Sequence, residues 1–299
     1  MDVCEANRRA WNKEAVNRNY WTLMVSEERI NAAKNGKPGI WVTPFKNVPL
    51  SWIENLKGKA VLLACAGGGQ QTPVLAAFGC KVTTIDISDE QIEQDKKALE
   101  RYGLETNLVR GNVLEMPFED KSFDAVIMPQ AMNFIEDIEL LYNQVHRVLK
   151  EGGCFIFGTA NPVIYTFDEK VQENRLRMKY TIPFSHTRSF SQKDLEKRLQ
   201  DNDTLEFSHT LESIIGGLTK AGFVIDGYYS DECGSSLTDS FVCDSHMAFK
   251  AISSSSYIAP CSCTCSKFMC IWSININCDV IECRCRCRNI PLNPRVGIV

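Results

Sequence analysis

The sequence lacks the features that mark membrane, secreted and nucleic-acid-binding proteins. Its longest apolar run, Ala60–Ala66, is far shorter than the ~20 residues that a membrane-spanning helix needs. The charged N-terminus has no apolar segment typical of a signal peptide. A net charge of −4 offers no basic surface for nucleic acid. We therefore expect a cytoplasmic protein with neither a membrane nor a nucleic-acid partner, while the oligomeric state is left open.

Cysteine is sparse over most of the chain and crowded at its end. Of the 14 cysteines, eight fall within residues 261–287, where they include two C-x-C-x-C runs. This tail has no histidine and lacks the paired C-x2-4-C spacing of structural zinc sites. A low-complexity extension is therefore favoured, with a thiolate cluster for soft metals as the alternative. We predict one domain over residues 1–252, an unfolded tail over residues 253–299 and no metal site.

Within residues 1–252, short apolar runs alternate with helical patterns, which is typical of an α/β fold with helices on both faces of a sheet. The sequence predicts seven strands, at Ala60–Ala64, Lys81–Ile85, Leu108–Arg110, Phe123–Met128, Cys154–Thr159, Phe223–Tyr229 and Ser245–Lys250. The last two strands have no helix between them, so they must pair antiparallel.

Helical patterns fill most of the intervals between these strands. They begin near Thr72, run from Ser88 or Asp89 to Tyr102, span Asp137–Lys150, and span Leu211–Ala221. The pair Gly152-Gly153 is expected to end the third of these helices. Residues 161–210 interrupt the alternation of strands and helices, since they are polar and hold at most two short helices. A long insertion of this kind more often serves function than packing.

A glycine triplet, Gly67-Gly68-Gly69, lies between the first strand and the following helix. Glycines at this turn let backbone N–H groups approach a ligand, and a helix N-terminus favours negative charge. The second strand ends at Asp86, 19 residues after Gly67. An acidic residue at that distance is placed to accept hydrogen bonds from both hydroxyls of a ribose. Together these features predict a ligand that contains a nucleoside.

The third glycine of the dinucleotide pattern G-x-G-x-x-G is missing, because Gln70, Gln71 and Thr72 follow the triplet. Without this glycine, the sequence instead resembles the class I S-adenosylmethionine-dependent methyltransferases. More closely, it is similar to their type 11-like branch, with LACAGGGQQ as a variant of the first motif. The resemblance is carried by Val61–Gly69, Thr84–Ser88, Gly111–Val113, Met116–Asp124 and Val145–Gly153. A nicotinamide-dependent oxidoreductase and a non-catalytic cofactor- or metal-binding protein are the alternatives.

The resemblance implies a Rossmann-like, doubly wound sheet of seven strands in the order 3-2-1-4-5-7-6, with strand 7 antiparallel. It also implies methyl transfer from S-adenosyl-L-methionine to a small-molecule acceptor. The cofactor-binding residues that it implies are Ala66, Gly67, Gly68, Gly69, Asp86, Ile87, Asn112, Val113 and Pro129. Asn112 stands where the family commonly has an aspartate that faces the adenine amino group, and an amide oxygen can still accept that hydrogen bond.

On the acceptor side, the resemblance implies that residues 1–50 cap the pocket and that residues 161–210 form an insertion beside it. The pocket residues expected there are Trp11, Tyr20, Trp21, Gln130 and Asn133, although packing or a helix start also explains residues of these types. His209 is a candidate general base, since imidazole titrates near neutrality. Glu206 or Glu212 would orient its ring; alternatively, His209 is a polar residue beside a helix cap.

Overall fold

Seven strands form one sheet in the computed structural model, which describes residues 1–168 and 175–254. The strands are β1 (Ala60–Ala64), β2 (Lys81–Asp86), β3 (Asn107–Arg110), β4 (Phe123–Met128), β5 (Leu149–Ala160), β6 (Phe223–Asp231) and β7 (His246–Ser253). Their order is β3-β2-β1-β4-β5-β7-β6. Strands β1 to β5 pair parallel, and β7 is antiparallel to both β5 and β6. The Rossmann-like fold, its strand order and its antiparallel last strand are thus confirmed.

Helices precede the sheet and connect its strands. They are α1 (Val3–Val16), α2 (Glu27–Lys34), α3 (Leu50–Ile53), α4 (Gln71–Phe78), α5 (Asp89–Tyr102), α6 (Ile138–Val148), α7 (His186–Ser189), α8 (Gln192–Gln200), α9 (Gly217–Lys220) and α10 (Ser236–Asp239). Ser88 caps α5 by accepting a hydrogen bond from the N–H of Gln91 at 3.2 Å. Among the described residues, no helix is both long enough and apolar enough to cross a membrane.

Each face of the sheet carries its own apolar core, because successive strand residues point to opposite faces. On one face, α6 packs on a cluster that contains Leu62, Val126 and Phe155. On the other face, α2 and α4 pack on a cluster that contains Val61 and Ile127. The carboxyl ends of the parallel strands are left open at one edge, where ligands bind in doubly wound folds.

The prediction for the end of α6 was wrong. The helix stops at Val148 rather than at Lys150, and β5 begins at Leu149 rather than at Cys154. Leu149 pairs with Phe123 of β4, and the register then shifts before the regular pairing resumes at Cys154. Gly152-Gly153 therefore lies within the strand as part of this irregularity, with Gly152 at a φ of 73°.

Three further helical predictions need correction. The segment between β6 and β7 was expected to hold no helix but contains α10, whose four residues are too few for the crossover that parallel strands need, so the two strands still pair antiparallel. The described part of residues 161–210 holds three short helices rather than at most two, namely a 3-10 helix at Pro162–Thr166, α7 and α8. The helix expected over Leu211–Ala221 begins with one π-helical turn, Glu212–Gly216, and continues as α9. The hydroxyl of Tyr142 donates a hydrogen bond to the carbonyl of Ile214 within that turn, at 3.1 Å.

The last strand extends slightly beyond the predicted end of the domain at residue 252. Ser253 is buried and pairs with Phe223, and the N–H of Ser254 donates to the carbonyl of Gly222 at 3.0 Å. The chain divides into two units, Met1–Tyr257 and Ile258–Val299. Apart from Ser253 and Ser254, the predicted unfolded tail lies outside the described residues, so that interpretation stays a prediction.

Candidate functional site

A cavity of about 830 Å³ opens at the carboxyl ends of β1, β2 and β4. Of the residues predicted to bind the cofactor, its walls include Ala66, Gly67, Asp86, Ile87, Asn112, Val113 and Pro129. Trp11, Trp21 and Gln130 from the predicted acceptor side also line it. Residues that are far apart in the chain therefore meet around one space, whose volume is within the roughly 300–1,000 Å³ usual for small-molecule sites.

The glycine triplet packs against α5 more than it faces the cavity. Gly67 lines the cavity, but a Cβ on it would come within 2.7 Å of the Cβ of Gln91. Gly68 and Gly69 have φ angles of 106° and 79°, a region that L side chains rarely adopt. The N–H of Gly68 donates to the carbonyl of Gln91 at 2.9 Å. Gly68 and Gly69 thus contribute by setting the backbone conformation of the loop.

The carboxylate of Asp86 lies at the wall of the cavity at the end of β2. Its two oxygens accept hydrogen bonds from the N–H groups of Gly67 at 3.1 Å and Ser88 at 2.9 Å. Burial raises the pKa of Asp86 to about 6, while these donors act in the opposite direction. Each oxygen has a further lone pair with which to accept a hydrogen bond from a ligand.

Asp95 is a functional candidate that the sequence analysis missed. It is fully buried on α5, and its carboxylate accepts hydrogen bonds from the N–H of Gly69 at 2.7 Å and the hydroxyl of Thr72 at 2.6 Å. The hydroxyls of Thr72 and Thr84 are 2.8 Å apart, so this network reaches β2 two residues before Asp86. The signal that could have revealed Asp95 is its position on α5: it follows Gln91 by four residues and therefore lies on the same buried face of the helix.

Asn112 lies in the segment expected to face adenine, where its side chain already holds two groups. Its Oδ1 accepts a hydrogen bond from the N–H of Leu114 at 3.0 Å. Its Nδ2 lies 3.5 Å from the Sγ of Cys4, at the start of α1. An adenine amino group would therefore share Oδ1 with a backbone donor. Burial raises the pKa of the Cys4 thiol, so the neutral thiol is the form that faces Asn112.

The N-terminal helix closes one side of the cavity. Asn7 fixes α1 in place, since its Nδ2 donates to the carbonyls of Phe134 at 3.1 Å and Leu205 at 3.0 Å, and its Oδ1 accepts from the N–H of Leu205 at 2.7 Å. Trp11 packs edge-on against Phe134, with ring centres 5.1 Å apart. Trp21 is 43% exposed yet lines the cavity, whereas Tyr20 is 59% exposed and is not among its described walls.

Gln130 follows β4 and meets His246 at the start of β7. Their Nε2 atoms are 2.6 Å apart, and both residues line the cavity. Burial lowers the pKa of His246 to about 4, although the charges of Asp231 and Asp239 oppose the shift, so the imidazole is neutral near pH 7. His246 was missed from the sequence because only the antiparallel placement of β7 next to β5 brings it to this wall.

Two other wall segments were also missed. Trp41–Pro44 lies within the predicted cap and lines the cavity, as does Cys233 after β6. A Cβ on Gly158 of β5 would collide with the carbonyl oxygen of Val42, so the cap lies directly on the sheet at this point. No periodic pattern marks such a close approach of loop to strand in the sequence.

The structure does not bring His209 to the cavity. Its Nε2 lies 3.0 Å from the carbonyl oxygen of Ile135, and its ring also interacts with the backbone of Met132. Burial lowers the pKa of His209 despite these acceptors. The proposed orienting residues lie elsewhere: Glu206 accepts a hydrogen bond from the hydroxyl of Tyr165 at 2.8 Å, and Glu212 is exposed.

Asn133 lines a second cavity, of about 430 Å³, which shares the walls Gln130 and Phe134 with the first. The side chain of Asn133 is buried, and its Oδ1 has no hydrogen-bond partner among the described residues. Within the described part of the chain, no group of three or more His, Cys, Asp or Glu side chains is placed to hold a metal ion.

A family model and a curated relative that match this chain are methyltransferases. Residues 62–157 match a family model described as a methyltransferase domain. The uncharacterized methyltransferase YbaJ of Bacillus subtilis (strain 168) is 39% identical over 230 residues, which cover 76% of this chain and 90% of that protein.

Two solved structures share the fold at low sequence identity. A protein described as an S-adenosylmethionine dependent methyltransferase from Listeria monocytogenes aligns with a TM-score of 0.54 and 18% identity, covering 68% of this chain and 93% of that one. The 1,6-didemethyltoxoflavin-N1-methyltransferase of Burkholderia thailandensis, with its acceptor and S-adenosylhomocysteine bound, aligns with a TM-score of 0.51 and 14% identity, covering 84% of this chain and 88% of that one. At these identities the likeness shows the fold.

Proposed function

This chain belongs to the methyltransferase family, and on that premise we propose that it transfers a methyl group from S-adenosyl-L-methionine to a small-molecule acceptor. The observation that carries the proposal is the carboxylate of Asp86, which lies at the cavity wall near the glycine loop and the Asn112 segment. A carboxylate at the end of β2 suits the two hydroxyls of a ribose.

The charge of the cavity also fits this cofactor. The carboxylates Asp2, Asp86, Glu136 and Asp137 are among its walls, and no lysine or arginine is among the wall residues that the structure describes. A sulfonium cation is attracted by such a wall, because opposite charges interact strongly where water is partly excluded. The same carboxylates would repel the pyrophosphate of a dinucleotide, which disfavours the oxidoreductase alternative.

In this proposal the predicted residues contact the ribose and the adenine of the cofactor or shape the loop beside it. Asp86 accepts hydrogen bonds from the ribose, and Ile87 and Val113 supply apolar contacts for the adenine. Asn112 accepts from the adenine amino group, while Ala66, Gly67 and Pro129 complete the wall. Gly68 and Gly69 act through the shape of the loop, which their bonds to α5 support.

When bound, S-adenosylmethionine would supply a methyl group on a positively charged sulfur. The S–CH₃ bond would break as a lone pair of the acceptor bonds the methyl carbon, leaving a neutral thioether, and an acceptor atom that bears hydrogen would release a proton to water. The chain's own part is to hold the acceptor in line with that bond, which can supply a large share of the rate enhancement. Trp11, Trp21 and Gln130 line the side of the cavity where the acceptor would lie. A fixed general base is not required for such a step.

We further propose that the protein acts in the cytoplasm, with no nucleic-acid partner. The absence of a membrane-spanning helix in the described residues is compatible with that location. The walls of the cavity are acidic rather than basic, and they therefore suit a small molecule better than a polynucleotide.

The experiment that tests this function compares two ligands in a thermal shift assay on the full chain. S-adenosylhomocysteine should raise the melting temperature strongly, because a ligand that binds only the folded state stabilises it. NAD at the same concentration should leave it unchanged. A shift with NAD alone would instead support the oxidoreductase, and a shift with neither would contradict both. Incubation of metabolite extracts with a labelled methyl donor would then identify the acceptor.

A further inference from the structure

The second cavity is built mainly from aromatic rings. Besides Phe134, its aromatic walls are Tyr165, Phe167, Tyr180 and Phe184, and we call it the aromatic cavity. Tyr165 and Phe184 stack with ring centres 5.5 Å apart, and Tyr180 meets Phe184 edge-on at 5.0 Å. The Nζ of Lys179, which pairs with Asp168 at 3.7 Å, lies 4.8 Å from the ring centre of Tyr180, so this ring already faces one cation.

One acidic side chain, Glu206, completes this wall. Its Oε2 accepts the hydrogen bond from Tyr165 at 2.8 Å. Its Oε1 lies 3.7 Å from a guanidinium nitrogen of Arg198, which also donates from Nε to the carbonyl of Thr204 at 2.6 Å. Arg198 is not among the described residues that line the aromatic cavity. Oε1 also accepts a hydrogen bond from the hydroxyl of Thr204 at 3.4 Å. Glu206 therefore brings a negative charge to the cavity wall, partly neutralised by Arg198.

The aromatic cavity and the larger cavity share Gln130 and Phe134 as walls. A molecule in the aromatic cavity therefore lies directly beside the space assigned to the cofactor. The buried side chain of Asn133 also lines the aromatic cavity, and its Oδ1 lacks a partner among the described residues. This oxygen adds a second acceptor, besides Glu206, for hydrogen bonds from a ligand.

We infer that the acceptor carries an ammonium group and that the aromatic cavity binds it, through the faces of the aromatic rings and the carboxylate of Glu206. This inference rests on the proposed methyltransferase function and names the class of its substrate as an organic cation, whose ammonium group is bound here while a different atom with a free lone pair accepts the methyl group. Aromatic faces attract cations, and a carboxylate and an amide oxygen can accept the hydrogen bonds of an ammonium.

The same charges argue against an anionic acceptor. Neither cavity has a lysine or arginine among its described wall residues, and the ionised side chains there are Asp or Glu. A carboxylate or phosphate would lose its hydration on entry without gaining a cationic partner, which is costly. An uncharged aromatic acceptor would stack on the rings but would not gain the charge interactions. Comparing cationic with uncharged ligands therefore distinguishes these two kinds of acceptor experimentally.

The test uses three probes of similar size on the full chain saturated with S-adenosylhomocysteine: benzylammonium, benzyl alcohol and benzoate. Isothermal titration should rank the ammonium probe as the tightest and benzoate as the weakest. Glu206→Gln and Tyr180→Leu should each weaken binding of benzylammonium by roughly threefold to thirtyfold, the range expected for cation–π and desolvated charge contacts. Glu212→Gln removes the same charge from an exposed position and should change nothing.

Two outcomes overturn the inference: benzyl alcohol binding as tightly as the ammonium probe, or Glu206→Gln leaving the affinity of that probe unchanged. The dissociation constant of S-adenosylhomocysteine, measured on each variant, reports separately on the proposed function. If that ligand fails to bind wild type, the methyltransferase proposal fails, and titration of the three probes without it still decides what the aromatic cavity prefers. Circular dichroism of each variant identifies loss of fold.

Discussion

The carboxylate of Asp95 accepts a hydrogen bond from the backbone N–H of Gly69 at 2.7 Å, so a buried acid on α5 holds the last residue of the glycine triplet. A second bond, from the hydroxyl of Thr72 at 2.6 Å, ties the same carboxylate to the first turn of α4. Because Gly69 has a φ of 79°, the loop has an unusual backbone conformation at this residue. Asp95 thereby fixes the loop whose first residues line the cavity.

Asp95→Ala should destabilise the fold by about 1–3 kcal/mol, since it leaves the buried N–H of Gly69 without an acceptor. Asp95→Asn is the matched control, because its amide oxygen can still accept from Gly69. The measurement is urea unfolding of both variants, with the dissociation constant of S-adenosylhomocysteine measured beside it. Equal stability of the Ala and Asn variants would show that the bond to Gly69 contributes nothing.

The contribution of Asp95 and Asp86 to the stability of the wild type should fall as the pH rises from about 4 to about 8. Burial raises the pKa of Asp95 to about 8 and that of Asp86 to about 6, whereas an unfolded aspartate titrates near ~3.9. The folded state therefore binds these protons more tightly, and their contribution is largest below the unfolded pKa and is lost as the pH rises through the folded values. The melting temperature of wild type relative to Asp95→Asn should decrease between pH 5 and pH 8. A difference that is constant with pH would contradict this assignment.

His209→Ala should leave turnover within a few fold of wild type at temperatures where the variant is folded. The ring lies outside the described cavity walls, and its Nε2 is 3.0 Å from the carbonyl oxygen of Ile135. The variant should be less stable, and His209→Gln, which restores an N–H donor, should recover part of the loss. The loss of a general base would instead reduce turnover by roughly 10²-fold or more in both variants, without a matching change in stability.

Truncation after Ser254 should leave the melting temperature and the affinity for S-adenosylhomocysteine nearly unchanged. The shorter variant that ends at Ile252 is the informative comparison, because it loses the pairing of Ser253 with Phe223 and the bond from Ser254 to Gly222. That variant should melt at a lower temperature. A large loss in the Ser254 truncation, or stoichiometric metal in the full chain, would contradict the interpretation of the tail as an unfolded extension.

The sheet was predictable because local and global patterns agree in this part of the chain. Strands β1 and β4 have the bounds predicted from the sequence, and the lack of a crossover-length helix between β6 and β7 indicates their antiparallel pairing. The boundary at Leu149 was not predictable, since Leu149 continues the amphipathic pattern of α6 while its backbone pairs with Phe123. Tertiary pairing overrides helical periodicity there.

The candidate site was predictable only where a motif lies on consecutive residues. Asp86 and Asn112 follow strands in a spacing that can be read directly from the chain, and both line the cavity. His246 and Trp41 reach the same wall from opposite ends of the domain, so no local pattern marks them. For His209, the near-neutral titration of imidazole suggested catalysis, whereas the fold turns its ring toward the backbone of Ile135.

The central claim is that Asp86 holds the ribose of S-adenosylmethionine, and calorimetric titration of S-adenosylhomocysteine into wild type and Asp86→Ala tests it most directly. Charge-assisted hydrogen bonds contribute ~1.5–3 kcal/mol each, so the variant should bind at least tenfold more weakly. Asp120→Ala removes an exposed carboxylate that is not among the described cavity walls and should bind as wild type does. Tenfold weaker binding by folded Asp86→Ala supports the account, and unchanged affinity in that variant contradicts it.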